Sequence, residues 1–295
     1  MPSGEMVLWL NGSYLPLSRA GISPLDRGLL FGDGIFTTLR AQDGRPLHLR
    51  EHLQRLTASA RALNLPPDLG QAGGLRQAGG LGQAGGPDWP EIIAGLLERN
   101  SLLRGPARIK LLLTRGPAPG PGLPQAVRPT FMALAEPYQP PSQAEYASGW
   151  RLTVCREGHA PPLAGHKTLN YLYHLLARQR ALEAGCHEAV ILGPGGELCE
   201  TSAGSLLVRS DGQWWTPESP FLLPGVTINL VSALLADMGQ PVLKRPARPE
   251  DLWRAETVWV LGSLMGAMPV AEVDGRALPA TLADRAALAR RGLFA

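Results

Sequence analysis

Apolar and polar residues alternate along this chain with two different periods, and the places where the period changes divide it into elements. Val7-Leu8-Trp9-Leu10 followed by Asn11-Gly12 predicts a strand running into a tight hairpin turn. Gly32-Asp33-Gly34 punctuates a loop that feeds the β-branched and aromatic run Ile35-Phe36-Thr37-Thr38-Leu39, and Asp43-Gly44 predicts another hairpin. From His48 to Leu63, residues Leu49, Leu53, Leu56, Ala60 and Leu63 recur at intervals of three and four, the signature of an amphipathic helix that ends at Asn64 and Pro66-Pro67.

A second helix is expected over 89–103, and strands over 107–114 (central) and 130–135. Beyond Pro137-Tyr138-Gln139-Pro140-Pro141-Ser142, further strands are expected at 151–155, 189–192, 205–208, 213–216 and 257–261. Two helices join them, 168–184 with Leu172, Leu175, Leu176 and Leu182 as its apolar positions, and 227–237. Strands linked by hairpins, with no repeated βαβ unit, predict α+β domains. The closely spaced prolines of 137–142 suit neither helix nor strand, so they divide an N-terminal α+β domain (1–136) from a C-terminal domain (143–295). One stretch fits no element. The hexapeptide 69–74 is repeated at 75–80 and 81–86, each copy ending Gln-Ala-Gly-Gly. Three copies are too few for a solenoid, and the glycines make ordering costly, so 69–86 reads as a flexible insertion between two helices.

Composition narrows the class without naming it. A chain of 295 residues, 44% apolar and 18% charged, is long enough for two domains with cores of their own. The net charge of +3 is small and its basic residues are dispersed, which argues against a nucleic-acid partner. No membrane-length apolar run and no signal-like start is present, so a cytoplasmic location is expected. Cys155, Cys186 and Cys199 are few and widely spaced, suggesting neither disulfides nor zinc, and the six histidines show no metal-ligand spacing that also has a third ligand.

The candidate chemistry gathers around Lys167. It follows the loop Gly158–Gly165 and opens the segment predicted as helical, with apolar neighbours on both sides, a setting in which a lysine can lose its proton and act as a nucleophile. Alone, a lysine is most often a solvated charge. Its company changes the reading: Glu200-Thr201-Ser202-Ala203-Gly204-Ser205-Leu206 follows some way on, and then Leu223-Pro224-Gly225-Val226-Thr227. Together these resemble the fold-type IV pyridoxal 5'-phosphate enzymes, which comprise branched-chain and D-amino-acid aminotransferases and aminodeoxychorismate lyase.

The resemblance implies a two-domain fold, a homodimer, a small-molecule amine substrate and pyridoxal 5'-phosphate as cofactor. It implies that Lys167 is the covalent attachment point and that Glu200 is the partner of the pyridine nitrogen. The phosphate would be held by Val226 and Thr227 at a helix start, by Ser263 in Gly262-Ser263-Leu264, and by Arg55 in His52-Leu53-Gln54-Arg55-Leu56. Tyr171 would lie near the ring oxygen of the cofactor. Phe31-Gly32-Asp33-Gly34-Ile35-Phe36-Thr37-Thr38 is most similar to aminodeoxychorismate lyase, with its paired threonines, where the aminotransferases carry a glutamate after the aromatic residue. On that likeness Thr38 relays a proton or orients Lys167, and the reaction yields 4-aminobenzoate and pyruvate for folate biosynthesis. Amino-group transfer from branched-chain or D-amino acids is the alternative. Relatives supply an arginine for a substrate carboxylate after the Thr-Arg-Gly step. Here 117–123 carries no charge, which makes Arg115 the nearest candidate, with Leu264 beside Ser263 as a further substrate contact.

Overall fold

The computed structural model describes residues 5–66 and 86–279, so the repeat insertion predicted over 69–86 falls almost wholly outside the described residues. The chain divides into two units. One comprises Met1–Gln139 with His166–Asn170, the other Pro140–Gly165 with Tyr171–Ala295. The break falls inside the proline-rich 137–142 stretch. The exception is the five-residue segment carrying Lys167, which packs with the first unit rather than with the C-terminal domain predicted to hold it.

The first unit runs β1 (Val7–Leu10), β2 (Ser13–Pro16), α1 (Arg27–Phe31), β3 (Gly34–Gln42), β4 (Arg45–Pro46), α2 (Leu49–Ala62), α3 (Trp89–Arg99), β5 (Pro106–Thr114) and β6 (Thr130–Pro137). Its strands form one antiparallel sheet in the order β2-β1-β6-β5-β3-β4. Both predicted hairpins are present, with Asn11, Gly12, Asp43 and Gly44 all at positive φ, as short hairpin turns require. Strand parity then decides the core. Ile35, Leu39 and Ala41 of β3, together with Ile109, Leu111 and Leu113 of β5, point to one face, which α2 and α3 cover with Leu53, Leu56, Ile93, Leu96 and Leu97. Trp89 is wholly buried there and meets Trp9 edge-on at 5.7 Å, an arrangement that adds about 0.5–1.5 kcal/mol beyond its area.

The second unit runs α4 (Gln143–Ser148), β7 (Trp150–Cys155), α5 (Leu172–Glu183), β8 (Glu188–Leu192), β9 (Leu198–Thr201), β10 (Ser205–Ser210), β11 (Gln213–Pro217), α6 (Val226–Asp237), β12 (Leu243–Arg245), α7 (Pro249–Leu252), β13 (Thr257–Gly262), β14 (Gly266–Val273) and β15 (Arg276–Ala277). Its sheet is ordered β12-β11-β10-β13-β14-β7-β8-β9, with β15 on β14. Most pairs are antiparallel, but β11–β12, β14–β7 and β7–β8 are parallel, the last joined through α5. The α+β class expected from the sequence is the class observed.

Two expectations need correction. The helix predicted from Thr168 begins only at Leu172, because Lys167–Leu169 is drawn out along β3 instead. Nor do its leucines form a buried stripe: Leu172, Leu175, Leu176 and Leu182 are exposed, and the helix packs on Cys155, Ala189 and Ile191 through Ala177 and Ala181. Small residues let a helix lie close to a sheet, so here alanine rather than leucine marks the inner face.

Candidate active site

In the first unit the Lys167 segment is held as an added edge to β3. Phe36 N–H donates to Lys167 O (2.9 Å), Leu169 N–H donates to Gly34 O (3.0 Å), and Thr168 bridges Ile35. Asn170 Nδ2 adds a bond to Gly32 O at 3.2 Å. Lys167 therefore sits on strand-like backbone fixed on both sides, not at a helix start. Its ammonium stands 4.8 Å from the centre of the Phe36 ring, and that of Lys110 stands 4.7 Å from the same ring. Because side chains alternate along a strand, Thr38 shares the Phe36 face of β3, while its neighbour Thr37 shares the core face with Ile35 and Leu39. The paired threonines thus serve opposite sides of the sheet.

Thr37 is fully buried, as is His52. Arg55 Nη2 donates to Thr37 Oγ1 (3.0 Å), and the same oxygen lies 2.7 Å from His52 Nδ1. An arginine can only donate, so Thr37 Oγ1 accepts from Arg55; in the Nε2–H tautomer of His52 the Thr37 hydroxyl donates its proton to His52 Nδ1. Burial, followed by the positive charges of Arg55, His48 and Lys167, pushes His52 down to about 3, so it is neutral at physiological pH. One turn further along α2, Ser59 Oγ meets His166 Nδ1 at 3.2 Å, next to Lys167 in the chain. The i, i+3 spacing of His52 and Arg55 was visible in the sequence, and it is the signal from which this pairing could have been found.

Arg115, predicted to receive a substrate carboxylate, does not fit that role. Its side chain is fully buried and all five of its N–H donors are engaged. Nε and Nη2 grip the Asp33 carboxylate at 2.7 and 3.0 Å, Nη2 also reaches Leu63 O, and Nη1 donates to Asn64 O and Pro124 O. Burial raises the pKa of Asp33, but the hydrogen bonds from Arg115 and Arg27 outweigh it and hold the carboxyl below its ordinary value. Arg115 is a structural clamp between α2, α1 and the 117–124 loop.

The second unit groups Glu200, Tyr171, His174 and the start of α6. Glu200 lies near the end of β9, with Oε2 at 3.4 Å from Leu223 N and Oε1 at 3.5 Å from His174 Nε2. Tyr171 stacks flat on His174 (4.4 Å, 8°) and donates its hydroxyl to Ser202 O at 3.1 Å. Ser202 is itself tethered through its amide and hydroxyl to Glu188, a wholly buried carboxylate whose pKa burial raises and Arg178 partly offsets. His174 was not singled out in the sequence, since a histidine on a helix carries no spacing signal. Cys199, next to Glu200, is buried and burial pushes its thiol up, so it is no nucleophile.

Helix α6 begins at Gly225 with no side-chain cap. The first backbone bond of the helix runs from Asn229 N to Gly225 O. The amides of Val226 and Thr227 therefore stand at the positive end of a 12-residue helix. Thr227 Oγ1 and Ser263 Oγ lie 3.4 Å apart at the same place, and Leu264 follows in the turn between β13 and β14. An uncapped helix start flanked by two hydroxyls is a donor set with the chemistry to hold a phosphate monoester.

Residues 34–273 match the family model for amino-transferase class IV. The chain belongs to this family. Among curated proteins, a class IV relative from Methanocaldococcus jannaschii, a putative branched-chain-amino-acid aminotransferase, is 29% identical over 92% of this chain and 90% of its own length. The D-alanine aminotransferase of Staphylococcus epidermidis is 28% identical over 91% and 89%. A bifunctional aminodeoxychorismate lyase / D-amino acid transaminase of Mycobacterium tuberculosis is 26% identical over 94% of both chains. Among solved class IV folds, the branched-chain aminotransferase of Thermoproteus uzoniensis superposes with a TM-score of 0.80 at 23% identity, covering 98% of this chain and 94% of that one. Among the described residues, no helix is long and apolar enough to cross a membrane.

Proposed function

We propose that this class IV enzyme is a pyridoxal 5'-phosphate-dependent lyase that converts 4-amino-4-deoxychorismate to 4-aminobenzoate and pyruvate. The observation that carries the lyase reading is the parity of β3, which sets the Thr38 hydroxyl on the Phe36 face over which the Lys167 ammonium stands. A relative named for both lyase and transaminase activities supports it. The cofactor is pyridoxal 5'-phosphate. Lys167 is its attachment point, Glu200 pairs with its ring nitrogen, Tyr171 attends its ring oxygen, and Arg55, Val226, Thr227 and Ser263 hold its phosphate. Bound, it supplies an electron sink for the carbon that bears the substrate amine.

In this reading Lys167 Nζ is the base that would take the proton from that carbon. The adjacent C–O bond breaks, the ring becomes aromatic, and the departing enolpyruvate takes up a proton to become pyruvate. The Thr38 hydroxyl relays that proton or orients Lys167. Aromatisation makes the sequence strongly downhill, and no water or second substrate is consumed. The reading also implies a homodimer.

Relatives named as aminotransferases favour a second reading, amino-group transfer from branched-chain or D-amino acids. Product analysis separates the two. Purified protein loaded with cofactor is supplied in parallel with 4-amino-4-deoxychorismate and with leucine or D-alanine plus 2-oxoglutarate. Fluorescent 4-aminobenzoate with equimolar pyruvate, and no glutamate from the second mixture, is the expected result. Glutamate without 4-aminobenzoate refutes the lyase and leaves the transaminase.

A further inference from the structure

We propose that Thr37, the paired threonine that faces the core, is a positioning residue for Arg55 and sets how strongly the protein discriminates for a phosphorylated cofactor. This rests on the reading above that Arg55 holds the cofactor's phosphate. Four residues of β3, Ile35, Thr37, Leu39 and Ala41, face the helices, and Thr37 alone among them is polar. A hydroxyl wholly buried on the core face of β3 lowers stability unless it is bonded on both sides. Here it is: it accepts from Arg55 Nη2 at 3.0 Å and reaches His52 Nδ1 at 2.7 Å.

The direction of that chain matters. Neutral His52 offers a lone pair at Nδ1, which takes the Thr37 proton and turns the hydroxyl's own lone pair toward Arg55. A protonated His52 would donate at Nδ1 instead and turn the Thr37 hydroxyl proton away from the imidazole. The buried pair therefore anchors one corner of the Arg55 guanidinium. Orientation of an arginine fork governs how well it receives a phosphate. A valine at position 37 would fill the same volume with no anchor, so the hydroxyl is not explained by packing.

The test is binding rather than turnover. Apoprotein is titrated with pyridoxal 5'-phosphate and, separately, with pyridoxal, which lacks the phosphate, and both are followed by absorbance. Thr37→Val and Thr37→Ala are expected to weaken pyridoxal 5'-phosphate binding about tenfold, the scale of one lost charge-assisted bond, and to leave pyridoxal binding unchanged. Thr37→Ser, which restores the hydroxyl, is expected to restore the preference. Adding Thr37→Val to Arg55→Met should weaken binding no further than Arg55→Met does, because both act through one guanidinium. Equal loss for both ligands in Thr37→Val and Thr37→Ala, or no loss for either, overturns the proposal. Should Arg55→Met keep the phosphate preference, the assignment of Arg55 itself fails. Should Arg55→Met lose the preference while both Thr37 variants keep it, Arg55 stands and only the positioning role falls.

Discussion

Lowering the pH from 7 to 5 is expected to destabilise the first unit through a single side chain, His52. In the folded protein this imidazole is fully buried and pushed down to about 3, by burial first and then by the charges of Arg55, His48 and Lys167. In the unfolded chain it titrates near 6.5. Between those two values the unfolded state binds the extra proton and the folded state does not, so the stability present above the unfolded value is lost as the pH falls. Linkage puts the loss between pH 7 and pH 5 at about 2 kcal/mol, or roughly 25-fold in the opening equilibrium. A folded value one unit higher would scarcely change this, because at pH 5 the size of the effect is set by the unfolded imidazole. The ion-paired Asp33 is depressed and does not contribute until the pH is lower still.

Hydrogen exchange of peptides covering β3 and α2, corrected for intrinsic rates, reads this locally. Protection should fall about 25-fold in the native protein between pH 7 and pH 5. It should change far less in His52→Gln, which keeps an acceptor for Thr37 but has no proton to gain. An equal fall in both proteins would refute the argument, and so would no fall in the native one.

Three other outcomes follow from the same geometry. Arg115→Met leaves the Asp33 carboxylate buried with Arg27 alone, and should cost about 3–5 kcal/mol of stability, read as a lower midpoint in thermal or denaturant unfolding. A midpoint unchanged by the substitution would mean that Arg115 is not the clamp described. Ala181→Leu overfills the closely packed seam between α5 and β8 and should destabilise by about 1–3 kcal/mol in the same assay. Lys167→Ala should abolish the visible, borohydride-sensitive absorbance of the cofactor-loaded protein, and a retained band would show that another amine is the attachment point.

The sequence by itself determined the local elements wherever one period dominated. The 3.6-residue repeat marked α2 to within a residue at each end, and both Asx-Gly turns placed hairpins, because these depend on short-range sterics. It was less informative where local preference and tertiary context disagree. Strand β14 carries Pro269, a residue that argues against an interior strand, yet it pairs with β13 on one side and β7 on the other. Helix α1, five residues with a glycine, depends on the buried carboxylate of Asp26, which caps Gly28 N and also accepts from Thr114 and Thr130. The chemistry followed the same division. Residue types and motif order pointed to Lys167, Glu200 and Arg55, but only the tertiary structure decided that Arg115 is fully engaged with Asp33, Leu63, Asn64 and Pro124. Only it decided that Lys167 lies along a strand edge, and which of the two adjacent threonines faces the core. The physical reason is that a side chain's role is set by which donors, acceptors and charges the fold brings against it, and those partners lie tens of residues away in the chain.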